Sequence, residues 1–362
     1  VRATQDDFEE EWFKELERTV PEECVEVLRW VQLKWVEELG RCITEEDYLQ
    51  KGVMQDITAE MWDKYWAEKK SNKASDHEGK HSNLVKALRK RIKVEGAEGC
   101  YVDPVSAEAF EGIRLLANVI IYAGVAPDGW FDEVLCTINK VAGSADIADT
   151  RPIGLVDILR NCVLGIQFHL VVRVWVKWKL IETLQHGFMP RVGTETARTI
   201  MHMTMEIQRV WKEEYDRGTE DKRHAFDSPD QLAGYEMALL RLGVPDALLD
   251  LVSQLDEGSR MMVRFAYGLT EAFRRVCGSV QGGEESPSKW TAQDDIFITQ
   301  WAKVTREAVR VRISDTQYVN VRGTVFADDK HYMSIPGGLS VYYGMSAKWG
   351  RFAGLWQVPR KF

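Results

Sequence analysis

Apolar residues recur three and four positions apart through residues 6–66: Phe8, Trp12 and Leu16, then Val27, Trp30, Val31 and Trp35. That spacing gathers them on one side of a helix, and Pro21 suits the first turn of a second helix, where a missing N–H costs nothing. Met61, Trp62, Tyr65 and Trp66 form an aromatic face that reads either as a docking surface for a partner or as the packing side of a small helical subdomain. Residues 67–82 (AEKKSNKASDHEGKHS) are polar and predict a linker. Helical spacing returns over Leu84–Ile92, whose basic cluster is Lys86, Arg89, Lys90 and Arg91 with Lys93 just beyond, and over Ser106–Ala123. Glu133–Lys140 alternates as a strand does. After a turn at Gly143-Ser144 comes Thr150-Arg151-Pro152-Ile153, then a long helix is expected to about Leu184. Gln185–Gly193 is a loop, followed by a helix over about Glu195–Tyr215 that Arg217-Gly218 is expected to close. Helices are predicted at Met237–Leu242, Pro245–Leu255 and Thr291–Glu307, a strand at Arg260–Tyr267, a Gly-rich loop at Cys277–Pro287, and short strands at Val309–Ile313 and Tyr318–Val321. No repeat of domain-building length is present.

The chain is organised around Thr324-Val325-Phe326-Ala327-Asp328-Asp329. Two apolar residues lead into adjacent carboxylates, and His331–Ile335 returns with mixed character, which predicts a hairpin with the aspartates at its tip. Like charges so close raise each other's pKa. A divalent cation removes that cost, and oxygen ligands suit Mg²⁺ or Mn²⁺. An ordinary Asp-Asp surface turn has the same local signature.

Charge and composition change this picture in a few places. Of the 362 residues, 45% are hydrophobic and 28% charged, enough for two or three compact units. The net charge of −9 is uneven: residues 1–63 hold 18 Asp/Glu against 7 Lys/Arg, a balance of −11, so the remainder is at +2. Proteins that grip a nucleic-acid backbone usually carry a clear positive excess. The acidic start at Val1 is not expected to be a signal peptide. The most apolar run, Val163–Val176, is interrupted by His169 and Arg173 and is expected not to span a membrane. Six cysteines without a CxxC pair argue against a zinc ribbon or a disulfide scaffold and fit an intracellular, reducing compartment. His77-Glu78-Gly79-Lys80-His81 matches the HExxH pattern formally, but zinc chemistry needs both histidines on one buried helical turn, and that context is missing.

In order, these blocks resemble the fingers-and-palm core of reverse transcriptases, closest to those of non-LTR retrotransposons and group II introns, over about residues 74–362. The resemblance implies that Lys140 (INK) and Arg151 (TRPI) hold the incoming triphosphate. It implies that Gln185-His186-Gly187-Phe188 with Pro190, Gly193 and Thr194 contacts template. Asp221 in DKRHAFDS matches the first metal-binding aspartate of the palm, and Phe226 the bulky residue that excludes a ribose 2′-hydroxyl. Gln281-Gly282 with Ser286-Pro287 resembles the loop that positions template and nucleotide. FADD supplies Asp328 and Asp329, and Lys361 in the last palm motif matches a lysine that protonates pyrophosphate. Asp221 and Asp328 are then the ligands of two Mg²⁺ (or Mn²⁺) ions, which activate a 3′-hydroxyl and the leaving group; Lys140 and Arg151 offset developing phosphate charge. Taken singly, Arg151 also reads as a helix cap, Phe226 as core and Gln281-Gly282 as a plain turn.

Three departures bear on activity. Between Gly218 and Asp221 stand only Thr219 and Glu220, about 7 Å of extended chain where the family has a strand of about 17 Å, and TEDKR is too polar for a central strand. SDHEGKH stands where the family has a Gly-Pro-Asp-Gly turn. The sequence stops at Phe362, just after the last palm motif, with no thumb. The expectation is therefore a mixed α/β (α+β) fold: an acidic helical segment (1–66), a linker (67–82), a fingers-like unit (83–215) and a palm-like unit (216–362) with a small antiparallel sheet. The expected function is that of a reverse-transcriptase-derived protein, ancestrally an RNA-directed DNA polymerase acting on an RNA template and a DNA primer, with activity weak or lost because Asp221 sits on an exposed loop away from Asp328. The alternative is a retroelement-derived structural subunit of a larger ribonucleoprotein assembly, with other subunits meeting its acidic N-terminal helices.

Overall fold

The computed structural model describes residues 56–70, 76, 78–89, 92–93, 100–101, 103–140, 142–143, 149–220, 222–223, 225–265, 267–304, 308–314, 316–353 and 356–357. The helices expected before residue 56 lie outside them. Helix α1 (Ala59–Glu68) begins where the Thr58 hydroxyl accepts from the Met61 amide, and it buries Trp62 and Trp66. From Glu78 on, the HExxH stretch is a turn. Asp76 Oδ1 accepts from the amides of Glu78 and Lys80, at 3.1 and 2.7 Å, and Gly79 has φ +82°. His81 spends its Nδ1 on the Asn83 amide, capping α2 (Ser82–Leu88), so this ring nitrogen is an N-cap acceptor. The pair β1 (Ile92–Lys93) and β2 (Cys100–Tyr101) leads to α3 (Pro104–Ala123), which Asp103 caps and Gly124 ends in the left-handed region.

Strands β3 (Asp132–Asn139) and β4 (Thr150–Leu155) form an antiparallel hairpin. Helix α4 (Ile158–Lys177) starts at Asp157, whose carboxylate accepts from Leu159 and Arg160, and ends before Lys179, at φ +53°. It is therefore shorter at both ends than the apolar pattern predicts. By length and composition α4 is apolar enough to cross a membrane, but 67% of that window is buried inside the fold, and it is the central core helix.

Helix α5 (Thr194–Trp211) stops at Lys212 in the left-handed region. The chain then forms β5 (Asp216–Glu220) and β6 (Lys222–Arg223). A π-helical turn (Gln231–Glu236) runs into α6 (Met237–Arg241), followed by α7 (Asp246–Glu257), β7 (Arg260–Phe265), β8 (Gly268–Leu269) and β9 (Phe273–Arg274). Helix α8 (Ser286–Val304), β10 (Val309–Arg312), β11 (Tyr318–Val321), β12 (Gly323–Phe326), β13 (Asp329–Ser334), α9 (Leu339–Ala353) and β14 (Trp356–Gln357) complete it. The larger sheet has the order β4-β3-β7, with β8 and β9 both on β7; β7 runs parallel to β3, so residues 260–265 join a sheet begun by residues 132–155. A second sheet has the order β12-β13-β5. One core joins α4, Trp290 and Trp301 of α8, Val325 and Tyr332 of the second sheet, and Tyr342 and Trp349 of α9. The fold is mixed helix and sheet with small sheets.

The second sheet corrects the sequence reading. Asp216–Glu220 is neither a helix end nor missing: it is a full strand antiparallel to β13, pairing Ser334 with Asp216 through to Lys330 with Glu220. The segment DRGTE has little strand propensity, and the sheet overrides it. Gly218 belongs inside that strand because Tyr343 lies over it, with Cζ 3.1 Å from where a Cβ would stand.

Polarity at this depth is matched by pairing. Arg160, Arg275 and Lys289 interleave with Glu133, Glu285 and Asp256, three cations against three carboxylates, every member buried. Below the second sheet, Lys222 and Lys330 face Glu220 and Asp294 in the same balance. Buried charges persist only in such mutual neutralisation.

Candidate functional site

The acidic residues sit on the β12–β13 hairpin. Its last pair is Phe326 with Asp329, leaving Ala327-Asp328 as the turn, with Ala327 at φ +54°. Asp328 is half-buried and Asp329 exposed. It is Val325, fully buried, that joins the main core; the half-buried Phe326 is not part of that core. Alternation explains this, since consecutive strand residues face opposite sides.

The loop after α4 is laced to this hairpin. His186 N and Gly187 N donate to Val325 O at 2.7 and 3.3 Å, and Val325 N donates to Leu184 O at 2.8 Å. Gly187 is required by the approach: an added Cβ would lie 3.1 Å from Ala327 Cα and closer still to its nitrogen. The loop that the family resemblance assigns to template therefore abuts the acidic turn.

Strand β5 ends beside the same turn, at Glu220 opposite Lys330. Burial alone would raise the Glu220 carboxyl, but Lys222 and then Lys330 outweigh it and pull it down to about 2. Its oxygens also accept from Tyr342 and Ser346. Glu220 is thus committed to its neighbours as a fixed strut. The next residue, Asp221, lies outside the described residues, as does Lys361. Among the described residues no group of three His, Cys, Asp or Glu side chains gathers to hold a metal. Asp328 and Asp329 present hard oxygen donors of the kind Mg²⁺ takes, and with Asp221 they are the residues that would hold it.

On the β3–β4 hairpin, Ile138 pairs with Arg151 and Lys140 N donates to Asp149 O, at 2.6 Å. Lys140 is two residues beyond Ile138, so Lys140 and Arg151 share one face, and both are exposed. Gly154, on the opposite face of β4, meets the 277–283 loop: its amide donates to Gln281 O at 2.7 Å, and a Cβ on Gly282 would run into Gly154 O. Phe226 stands between Phe188 and Trp290, with ring centroids 6.1 and 5.3 Å away. The structure thus brings Phe226 together with the 185–193 loop, and Gln281-Gly282 together with β4.

Asp227 carries no sequence signal beyond being next to Phe226. Gln281 Nε2 donates to its Oδ2 at 2.8 Å, beside a cavity of about 20 Å³, room for little more than a water. Burial raises the carboxyl to about 6, partly opposed by the Gln281 hydrogen bond and then by Arg275 and Lys140. An unfolded Asp titrates near 3.9. The folded protein holds the proton more tightly, so the contribution of this group is complete below about pH 4 and is lost as pH rises through about 6. Asp227→Asn keeps an acceptor for Gln281 with nothing to ionise. Between about pH 4 and about pH 8, stability should shift in favour of the variant by about 1–2 kcal/mol, allowing for partial exposure. Urea midpoints at the two pH values check this, and a constant gap would refute it.

No protein-family model matches the sequence, and no curated protein does. Solved structures similar to it include telomerase from Candida Tropicalis in complex with a TWJ fragment of telomeric RNA, 11% identical, with a TM-score of 0.42 over 76% of this chain and 47% of that one. Apo telomerase from Candida Tropicalis, truncated from its C-terminal domain, is 13% identical, with a TM-score of 0.42 over 76% of this chain and 60% of that one. The chain thus spans between about half and three-fifths of the telomerase chains to which it is similar.

Proposed function

We propose that this chain is a reverse-transcriptase-type fingers-and-palm unit that performs template-directed nucleotidyl transfer, extending a DNA 3′-hydroxyl along RNA. The observation that carries this reading is β5. A strand of 5 residues, running about 17 Å, is registered on β13 and ends beside the acidic hairpin, one residue short of Asp221. Loss of that strand is what argued for inactivity, and the strand is present.

In this reading Asp221, Asp328 and Asp329 supply the carboxylates, and bound Mg²⁺ supplies the charge that activates the 3′-hydroxyl and stabilises the pyrophosphate. Lys140 and Arg151 neutralise the triphosphate from one face of the fingers hairpin. Phe226, braced by Trp290, bounds the sugar, and Gln281, fixed through Asp227, positions the base. Ligands for such chemistry need placement to within about half an ångström, and the lattice around Glu220 and Lys330 supplies the rigidity.

Primer extension on an RNA template with Mg²⁺ or Mn²⁺ tests the proposal. Wild type should add nucleotides, and Asp328→Ala should lose the activity by at least about 10³-fold while melting at the same temperature. No extension by a folded wild type, or extension unchanged in Asp328→Ala, would remove the reading.

A further inference from the structure

A helix at the outside of a domain buries one apolar stripe and turns charged and polar residues to water. The inner side of α3 follows that rule: Ala117, Ile120 and Ile121 are buried, and the helix packs on α1, α2, α4 and α7. Its outer side does not. Leu115, Leu116, Val119 and Tyr122 are 51–62% exposed and Val105 is 72% exposed, while among the exposed positions of α3 only Glu108 is charged. These residues recur at helical spacing, and from Val105 to Tyr122 they make a stripe about 26 Å long at 1.5 Å per residue. A helix that is apolar on all sides is normally a buried one, and an open apolar patch of this extent marks an interaction surface.

The occupant is indicated by where the chain enters. Residues 1–55 lie outside the described residues, and the first two described, Asp56 and Ile57, are fastened to α3. Ile57 N donates to Asn118 Oδ1 at 2.7 Å, and its carbonyl accepts from Arg114 and, at 3.3 Å, from Asn118 Nδ2. The Tyr122 hydroxyl donates to the Asp56 carboxylate. Tyr122 belongs to the open stripe, so the preceding chain departs from the edge of the uncovered face. That chain carries a complementary surface. Val27, Leu28, Val31 and Trp35 fall on one side at helical spacing, and Glu22, Glu26 and Glu37 fall on the other. The 20 residues between Trp35 and Asp56 reach about 30 Å even as a helix, enough to lay this stripe anywhere along α3. Tethering also favours it over a second copy, because a segment joined by a short connection is present at an effective concentration of order millimolar.

We propose that residues 22–39 dock as a helix along the open face of α3, apolar side inward and carboxylates toward solvent. The inference does not rest on the activity proposed above.

The test is photo-crosslinking in the full chain, with benzoylphenylalanine in place of Val119 and, as a control, in place of Val319, an exposed position on β11. Mass spectrometry of an equimolar mixture of isotopically light and heavy chains separates links within one chain from links between two. The probe at Val119 should link to residues 22–39 of its own chain with at least about fivefold the yield of the probe at Val319. Val31→Asp, which sets a charge in the apolar side, should lower that yield by about fivefold or more. Hydrogen exchange is the second measurement. In Leu115→Asp with Val119→Asp, the amides of residues 22–39 should exchange at least about tenfold faster, while those of α4 keep wild-type protection. If α4 loses protection too, the double variant is unfolded, and the cross-links in the otherwise unaltered chain decide. Light-to-heavy links from Val119 would put a second copy on the face and overturn the proposal. No excess of links to residues 22–39, or unchanged exchange there with α4 protected, would overturn it equally.

Discussion

Arg160→Met is expected to destabilise the protein by about 3–5 kcal/mol, a third or more of what a domain of ordinary stability possesses. Arg160 is fully buried, and its Nη1 donates to Glu133 Oε1 at 3.0 Å and to Trp130 O at 2.9 Å, while Nη2 donates to Glu285 Oε1 at 2.9 Å. Methionine fills much of the volume but leaves Glu133 with Arg275 at 3.4 Å and takes from Glu285 its ion-pair partner. An uncompensated buried carboxylate then has to pick up a proton or admit water. Adding Glu285→Gln to Arg160→Met should therefore recover part of the loss. The exposed Arg209–Glu206 pair on α5 is the contrast: Arg209→Met should cost no more than about 1 kcal/mol, because water already solvates both charges. Urea denaturation of the four proteins measures all of this. Equal midpoints for Arg160→Met and wild type would show that the six-charge cluster is solvated and not structural.

Gly187→Ala is the second large effect. The residue is not in the left-handed region, so backbone freedom is not the issue; the approach of Ala327 is. A methyl group there meets backbone atoms, which cannot swing aside as a side-chain end would. Either the 185–193 loop or the Ala327-Asp328 turn has to move, and the hydrogen bonds from His186 and Gly187 to Val325 hold the two together. Stability should fall by about 2–3 kcal/mol, as in other overpacked sites. If Asp328 is a ligand, nucleotidyl transfer should fall by about a hundredfold or more, since a shift of about 1 Å is enough for that. Gly112→Ala, with nothing near its added methyl at an exposed position inside α3, is the control: it should raise stability by up to about 1 kcal/mol and leave nucleotidyl transfer unchanged. Retained stability in Gly187→Ala would mean that the contact relaxes elsewhere.

What the sequence by itself determined were the features whose information is local. The Thr324–Asp329 hairpin, strand β3 and the amphipathic helices α3, α5 and α7 follow from apolar spacing and turn residues within a few positions of one another, whereas β4, with a proline inside it, gave no strand signal of its own. The turn at residues 78–81 was legible for the same reason, since a glycine among polar residues denies the helix that HExxH requires. The rest depended on partners far away in the chain. DRGTE has the composition of a helix end or a loop, and it is a strand only because β13 offers a ladder and Tyr343 covers Gly218. The buried charges gave no signal either, because Glu133 and Arg275 stand 142 residues apart and each alone resembles a surface residue. Nor could spacing reveal that Lys64 and Arg191 line one groove with Arg173 of α4, or that Asp227 meets Gln281. Local pattern sets which elements form; which polar groups are buried, paired or left facing a groove depends on long-range packing, because the cost of burying a charge is decided by its neighbours in space.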